Sequence, residues 1–346
     1  MRFRRPGSGQ QDLLSQLDHA RKLAAEPTGL DKLNAVIDFE IFRPTLIEAL
    51  GYKDRVDRGG NAPFDPVFMF KVVVLQKYFS LSEEQTEFQI RDRFSFMRFL
   101  RLSPGDAVPD KNTVWDFKEL LGSETVGLLF RQLDGVLGSR GLHGKECVIV
   151  DASFVEVPRQ RNTRGENQTI KEGRTPEDWK DQPAKLRQKD TDARWTKKNH
   201  QVRYGYKNHI KCDARSKLIR RYRVSPANLH DSQTFGELLE PDDHTVWADS
   251  AYRSKESLKL LRSRKLKARV CQKGSRNAPL TTRQKRENRK KSSIRSRVEH
   301  IFGVQTYQMK SHRIRTIGIL RAAREIGLGN LVYNLLRMVH LTPQTA

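Results

Sequence analysis

Cysteine is scarce in this chain of 346 residues: there are three (Cys147, Cys212 and Cys271), far apart and without a C-x-x-C pair. That argues against a disulfide framework and against a zinc finger. Long apolar runs are also missing. The longest, Val67 to Leu75, is broken by Lys71 and falls far short of the roughly 20 residues a membrane span needs. The opening Met1-Arg2-Phe3-Arg4-Arg5-Pro6 is basic but has no apolar run behind it, so no secretory signal is expected. Acids are in deficit: 65 Lys and Arg face 41 Asp and Glu, a net charge of +24. At 36% hydrophobic residues the chain is nonetheless too apolar to be disordered. Its length suits two domains, and its surplus calls for a polyanion, most commonly nucleic acid. The expectation is a soluble, cytoplasmic protein that faces nucleic acid.

The surplus is not spread evenly. Residues 1–146 hold 21 basic and 21 acidic side chains, a net of zero. Residues 253–297 hold 18 basic side chains against two acids, Glu256 and Glu287, and so carry two thirds of the excess. A solvated basic linker is one reading of such a run, and a phosphate-binding segment is the other. Its cations include Arg283, Lys285, Arg286, Arg289, Lys290, Lys291 and Arg297. Lys310, Lys111 and Lys118 are further candidate DNA contacts outside it.

The first 125 residues read as helical. Asp65-Pro66 is an N-cap followed by proline at the first helical position, and Val67, Phe70, Val74 and Tyr78 or Phe79 recur at helical spacing. Ser82-Glu83-Glu84-Gln85 is a capping-box pattern. After Ser103-Pro104-Gly105-Asp106 another helix starts near Pro109-Asp110, with Asn112 or Thr113 expected as its cap. This gives an N-terminal helical arm over 1–40 and a helical domain over 41–140, compatible with a helix-turn-helix reader of DNA.

Gly141 to Gly144 mark a boundary, and an α/β domain is expected over 145–342. Cys147 to Val150 reads as a buried strand ending at Asp151, and Thr245 to Ala248 as another ending at Asp249. Between them, 159–200 is nearly devoid of aliphatics and reads as an exposed, disorder-prone insertion. Alternation from Val202 predicts a strand, with a partner over Leu218 to Val224 reached through the turn at Asp213. A helix is expected from His230 through Leu239, others over 254–263, 293–310 and 318–340, and a strand over 266–271.

Two strand-end aspartates stand where ligands bind in open α/β sheets. A third acid, Glu299, lies beside the apolar stripe Ile294, Val298, Ile301 and Phe302 in a region otherwise basic. Three such carboxylates could hold two Mg²⁺ ions for an in-line phosphoryl displacement. Equally, the aspartates could cap turns, and Glu299 could pair with Arg295 four residues before it. His230 and Asp231 read as a helix start and turn, and Tyr252 and Trp247 as core or site wall.

At these residues the sequence resembles the bacterial insertion-sequence DDE transposases of the insertion-sequence-five type, over roughly 42–340. The resemblance rests on Pro63-Phe64-Asp65-Pro66, Pro109 to Phe117, Val150-Asp151-Ala152-Ser153, Trp195 to Asn199, Tyr204-Gly205-Tyr206-Lys207, Pro226 to Ser232, Ala248 to Tyr252 and Arg295 to Gly303, in that order. It implies an RNase H-like catalytic domain, a mixed-sheet α/β fold behind the helical region. It also implies Asp151, Asp249 and Glu299 as the catalytic, metal-binding triad, with Arg295 as a helper. Mg²⁺, with Mn²⁺ as a substitute, would be the cofactor. The partner would be double-stranded DNA, held by at least a dimer. One departure stands out: the lysine usual seven residues after the glutamate is Thr306 here, and a more loosely kept tyrosine seven before it is Ser292. Lys310 or Arg297 could replace that lysine's phosphate contact. A decayed copy acting as an end-binding repressor, or another RNase H-like nuclease such as a junction resolvase, are the alternatives.

Overall fold

The computed structural model describes residues 21–22, 25–51, 62–144, 146–198, 201–275 and 277–342. Most of the expected N-terminal arm over 1–40 lies outside the described residues. The helical region comprises α1 (Gly29–Val36), α2 (Arg43–Ala49), α3 (Pro66–Phe79), α4 (Glu83–Asp92), α5 (Phe94–Leu100) and α6 (Lys111–Ser139). Asp65 caps α3 by accepting from the Val67 and Phe68 amides, both 2.9 Å. Ser82 and Gln85 form the capping box of α4. Asp110, not Asn112 or Thr113, caps α6: its carboxylate accepts from the Thr113 amide at 2.7 Å. A kink at Gly122 (φ 62°) divides α6.

Helix α3 is buried on every side rather than along one stripe, with Val72, Val73, Val74 and Leu75 inaccessible. An all-round apolar helix is stable only at the centre of a bundle. Lys71, which interrupts the run, bonds the Phe99 carbonyl and lies 4.5 Å over the Phe99 ring. Burial brings its ammonium down to about 8.

The second region runs β1 (Cys147–Glu156), α7 (Arg164–Lys171), α8 (Glu177–Lys180), α9 (Pro183–Arg187), β2 (Arg194–Lys198), β3 (Gln201–Asp213) and β4 (Ile219–Pro226). It continues through α10 (Phe235–Leu238), β5 (Thr245–Ala248), α11 (Lys255–Ser263), β6 (Lys267–Val270), α12 (Thr282–Arg295), α13 (Val298–Gly303) and α14 (Ile319–Leu341). The sheet order is β2-β3-β1-β5-β6, with β4 also on β3. The β3 pairings are antiparallel, whereas β5 and β6 run parallel to β1. This is the expected mixed sheet behind a helical N-terminal region. Gly205 is required where β3 passes β1: its φ is 146°, and a Cβ there would stand 2.2 Å from the Val155 carbonyl oxygen.

Alternation along β1 sorts its two faces. Val148 and Val150 pack with Phe235, Val246, Tyr252 and Leu261. Ile149 joins the large cluster that includes the N-terminal helices and α14. The helical region and the sheet therefore share one core, and α14 closes both. The expected helix over 318–340 is this element.

Three expectations are corrected. The insertion expected at 159–200 is ordered over its described residues, 159–198: α7 carries its own capping box, and Trp179 is fully buried, bonding Glu166 at 2.6 Å. Few aliphatics were needed because one indole and the buried carboxylate of Asp190, which accepts from Tyr206 at 2.8 Å, organise it. The expected helix from His230 is instead a 3-10 turn (Asp231–Gln233) followed by the single turn of α10. The expected helix over 293–310 is α12 and α13 separated at Ser296-Arg297, then a π turn over Val304–Gln308.

Candidate active site

Parallel pairing of β1 with β5 ends at Val150 opposite Ala248, and each strand's next residue is an aspartate. Neighbouring strands lie about 4.8 Å apart, so Asp151 and Asp249 stand side by side. Only one is at a strand end. Asp249 caps a 3-10 turn by accepting from the Ala251 amide at 2.6 Å, which stops β5 there. Asp151 lies within β1, because antiparallel pairing with β3 carries the strand on to Glu156. That corrects the expected strand end and fixes Asp151 more rigidly than a turn would.

Arg295 closes α12 and donates from Nη1 to Asp151 Oδ2 at 2.6 Å. Asp151 Oδ1 accepts from the Ala152 amide at 2.9 Å. The Asp151 side chain is 15% exposed. Burial raises its carboxyl to about 6, with Asp249 adding to the rise against the pull of Arg295. Burial opposes the charge of Arg295, yet Asp151, Asp249 and Glu299 together hold its guanidinium above the ordinary value. All three acids thus act on one arginine. Its Nε is buried without a partner.

Glu299 is exposed in the first turn of α13, whose Val298 and Ile301 are buried. It approaches the aspartates through Arg295 rather than through a bond of its own. The tight acidic cluster among the described residues is a different one, Glu240, Asp242 and Asp243. There the buried Lys211 pairs with Asp243 at 3.0 Å and with Glu240, so that cluster is a neutralised latch. The Asp151–Asp249–Glu299 set fits a divalent cation by its chemistry. Hard carboxylate oxygens are the donors Mg²⁺ prefers, and Asp249 lies near enough to Asp151 to add to the rise that burial causes in its carboxyl.

The basic segment ends in the helix α12, so of its two readings the irregular linker does not hold over 282–295. Thr281 and Gln284 cap α12, and it buries no residue. It is tied to the end of β6 by Lys291, which donates to the Val270 carbonyl at 2.9 Å, and by Asn288, which exchanges bonds of 2.8 and 2.9 Å with Gln272. Arg283, Lys285, Arg286, Arg289 and Lys290 project into solvent. Among them, and among the described residues, only Arg283 has an ion-pair partner, Glu287 at 3.3 Å.

Other expected contacts divide. Lys310 is exposed, at φ 48°, and Lys111 is exposed at the start of α6. Arg297 turns away, donating to the Ala214 carbonyl at 3.0 Å. Lys118 is corrected: it is buried, and pairs with Glu83 at 2.5 Å and Glu325 at 3.9 Å, so it offers no charge to a phosphate. Thr306 is half-buried beside Ser153, Phe154 and Asn208. Ser292 lies 3.9 Å from Cys271 Sγ.

His230 caps the 3-10 turn, its Nδ1 accepting from the Ser232 amide at 3.3 Å. Asp231 accepts from Lys207 at 2.8 Å. Tyr252 is buried against Phe235. Sequence reasoning overlooked His209, which is buried beside Ser225 (2.8 Å) and whose imidazole is held down at about 4 by burial. It lies on the face of β3 opposite Asp151, and only the strand register reveals that. The exposed Trp115 and the cationic loop after Lys310 were also missed.

Two adjacent carboxylates on the sheet and a third acid on the following helix thus stand at the end of a helix rich in exposed cations. A family model described as "Transposase DDE domain" matches residues 142–335, which include Asp151, Asp249 and Glu299. A second, "Transposase domain (DUF772)", matches residues 18–120. The chain belongs to the DDE transposases, metal-dependent enzymes of DNA cleavage. A solved synaptic complex of piggyBac transposase with hairpin DNA aligns over 88% of this chain and 74% of that one, at 11% identity and a TM-score of 0.44. Likeness at that level is too slight to bear on mechanism. Among the described residues no helix is long and apolar enough to cross a membrane.

Proposed function

We propose that the protein is the transposase of an insertion sequence of the insertion-sequence-five type. It would bind the element's terminal inverted repeats, cut DNA there and join the freed 3′-hydroxyl to a target. The observation that carries this reading is Arg295. One residue ends the cationic helix and, at 2.6 Å, grips the aspartate beside Asp249. Phosphates drawn along α12 are thereby delivered to the carboxylates.

Asp151, Asp249 and Glu299 would hold two Mg²⁺ ions, which supply activation of a water or 3′-hydroxyl and neutralise the leaving oxygen. The chain's own residues do the rest. Strand β1 and the Ala251 amide fix the two aspartates, and Arg295 orients Asp151. The cations of α12 grip backbone phosphates without regard to sequence. The helical region, neutral overall, is the reader of the ends, through few and local contacts. Pairing two inverted repeats calls for at least a dimer, acting in the cytoplasm on nucleoid DNA. One observation favours a second reading, an end-binding repressor: Thr306 stands where the family's lysine would be.

The test is cleavage of a DNA fragment carrying the gene's own flanking repeats, in Mg²⁺ and in EDTA. Asp249→Ala should lose more than the ~100-fold typical of changes to outer-shell groups. Equal cleavage by the variant overturns the site. Binding without cleavage by the wild type would establish the repressor. Cleavage of four-way junctions lacking the repeats would point to a resolvase.

A further inference from the structure

A cleft of about 430 Å³ lies between the helical region and the catalytic half, away from the carboxylates. Its volume is that of a small-ligand pocket. One wall is α6, which presents Trp115, 48% exposed. The opposite wall is the loop from Lys310 to Ile317. Three carboxylates line the cleft, and each is already committed: Glu83 to Lys118, Glu325 to Lys77, and Glu119 to Arg321 and Arg324. The loop's Lys310, Arg313 and Arg315 are exposed and have no side-chain partner among the described residues. The cleft therefore offers uncompensated positive charge opposite a bare indole. Deeper in, Gln76 is 3% exposed, and neither of its amide atoms has a hydrogen-bond partner.

The loop is held in register with the catalytic strand. The Glu156 amide donates to the His312 carbonyl at 2.8 Å, and the Ile314 amide to the Glu156 carbonyl at 3.0 Å. Ile314 is buried. Glu156 is five residues beyond Asp151 on β1, so the cations stand ~16 Å along the strand from the site.

We infer that this cleft binds an unpaired stretch of DNA, with a base stacked on Trp115 and its phosphates on Lys310, Arg313 and Arg315. An aromatic face opposite free cations is how single strands are held without sequence preference. A duplex keeps its bases in its own stack and offers no face to the indole. That the strand belongs to an element's end rests on the proposed function; the affinity for unpaired DNA does not.

The test uses the full chain in EDTA, so that no chemistry intervenes. Binding of a fluorescein-labelled oligothymidine of about 12 nucleotides is compared with binding of a duplex of the same length. Trp115→Ala should weaken the single strand about tenfold and the duplex by less than about twofold, whereas Trp115→Phe should keep most of the affinity. Arg313→Ala with Arg315→Ala should flatten the salt dependence for the single strand by ~0.7 for each phosphate no longer neutralised. Circular dichroism confirms folding of a variant whose side chain is already half exposed. Unchanged single-strand binding in Trp115→Ala, or equal weakening on both DNAs, overturns the inference. Failure to cut repeat ends would count against the transposase reading alone.

Discussion

Two parts of this molecule concentrate lysine and arginine, and they treat charge in opposite ways. Where α14 meets α3 and α6, the cations Lys77, Lys118 and Arg324 are matched by Glu325, Glu83 and Glu119. On α12 the exposed cations stand in solvent with a single pair among the described residues, Arg283 to Glu287, while Arg295 at its end turns inward to Asp151. The first arrangement holds two regions of the chain together. The second leaves charge available to a partner. A basic residue therefore tells nothing of its role until its carboxylates are known.

The comparison breaks most readily at Glu325. Burial alone would raise its carboxyl, but Lys77, Lys118 and Arg324 outweigh burial and hold it at about 2. Glu325→Ala leaves three cations without their shared anion, and should cost about 3–5 kcal/mol in urea denaturation. Replacing Arg286, Arg289 and Lys290 together by alanine should change stability by no more than about 0.5 kcal/mol.

The same carboxylate gives a pH dependence with a fixed sign. Its folded value is depressed, so its contribution is fully present above its unfolded value near 4.5 and fades as pH falls through about 2. At neutral pH wild type should exceed Glu325→Gln by roughly 3 kcal/mol. The two denaturation midpoints should converge as pH is lowered from 5 to 2. A gap that persists at pH 2 would assign the difference to packing instead.

On DNA the order reverses. The α12 triple variant should flatten the slope of log affinity against log salt by ~0.9 for each duplex phosphate it no longer neutralises. Lys118→Ala, although less stable, should leave that slope unchanged within error. A drop of about one in the Lys118 variant would return that lysine to the DNA surface.

Local rules exposed much of the fold. Caps at Asp65 and Ser82, the alternation after Val202 and the apolar runs ending at Asp151 and Asp249 each rest on neighbours in sequence. What escaped was decided at long range. Lys118 looked free because its partners are distant in sequence, Glu83 35 residues before it and Glu325 more than 200 after it. The insertion looked disordered because its core is Trp179 and Asp190 rather than aliphatics. At the site, the three acids were legible, but their arrangement was not. Spacing suggested that Arg295 pairs with Glu299 four residues on, whereas the break at Ser296-Arg297 and the strand register send it to Asp151. That Asp151 lies inside a strand also depends on β3, which no local pattern around Asp151 discloses.

Whether Asp151, Asp249 and Glu299 act as one site decides the rest. The most direct measurement is single-turnover cleavage of repeat-bearing DNA by Asp151→Asn, Asp249→Asn and Glu299→Gln, with affinity read on the same samples. The prediction is that all three variants bind like the wild type, within about threefold, and lose cutting by more than ~100-fold. An isosteric variant that cuts at the wild-type rate would remove that residue from the site and contradict the shared-site reading.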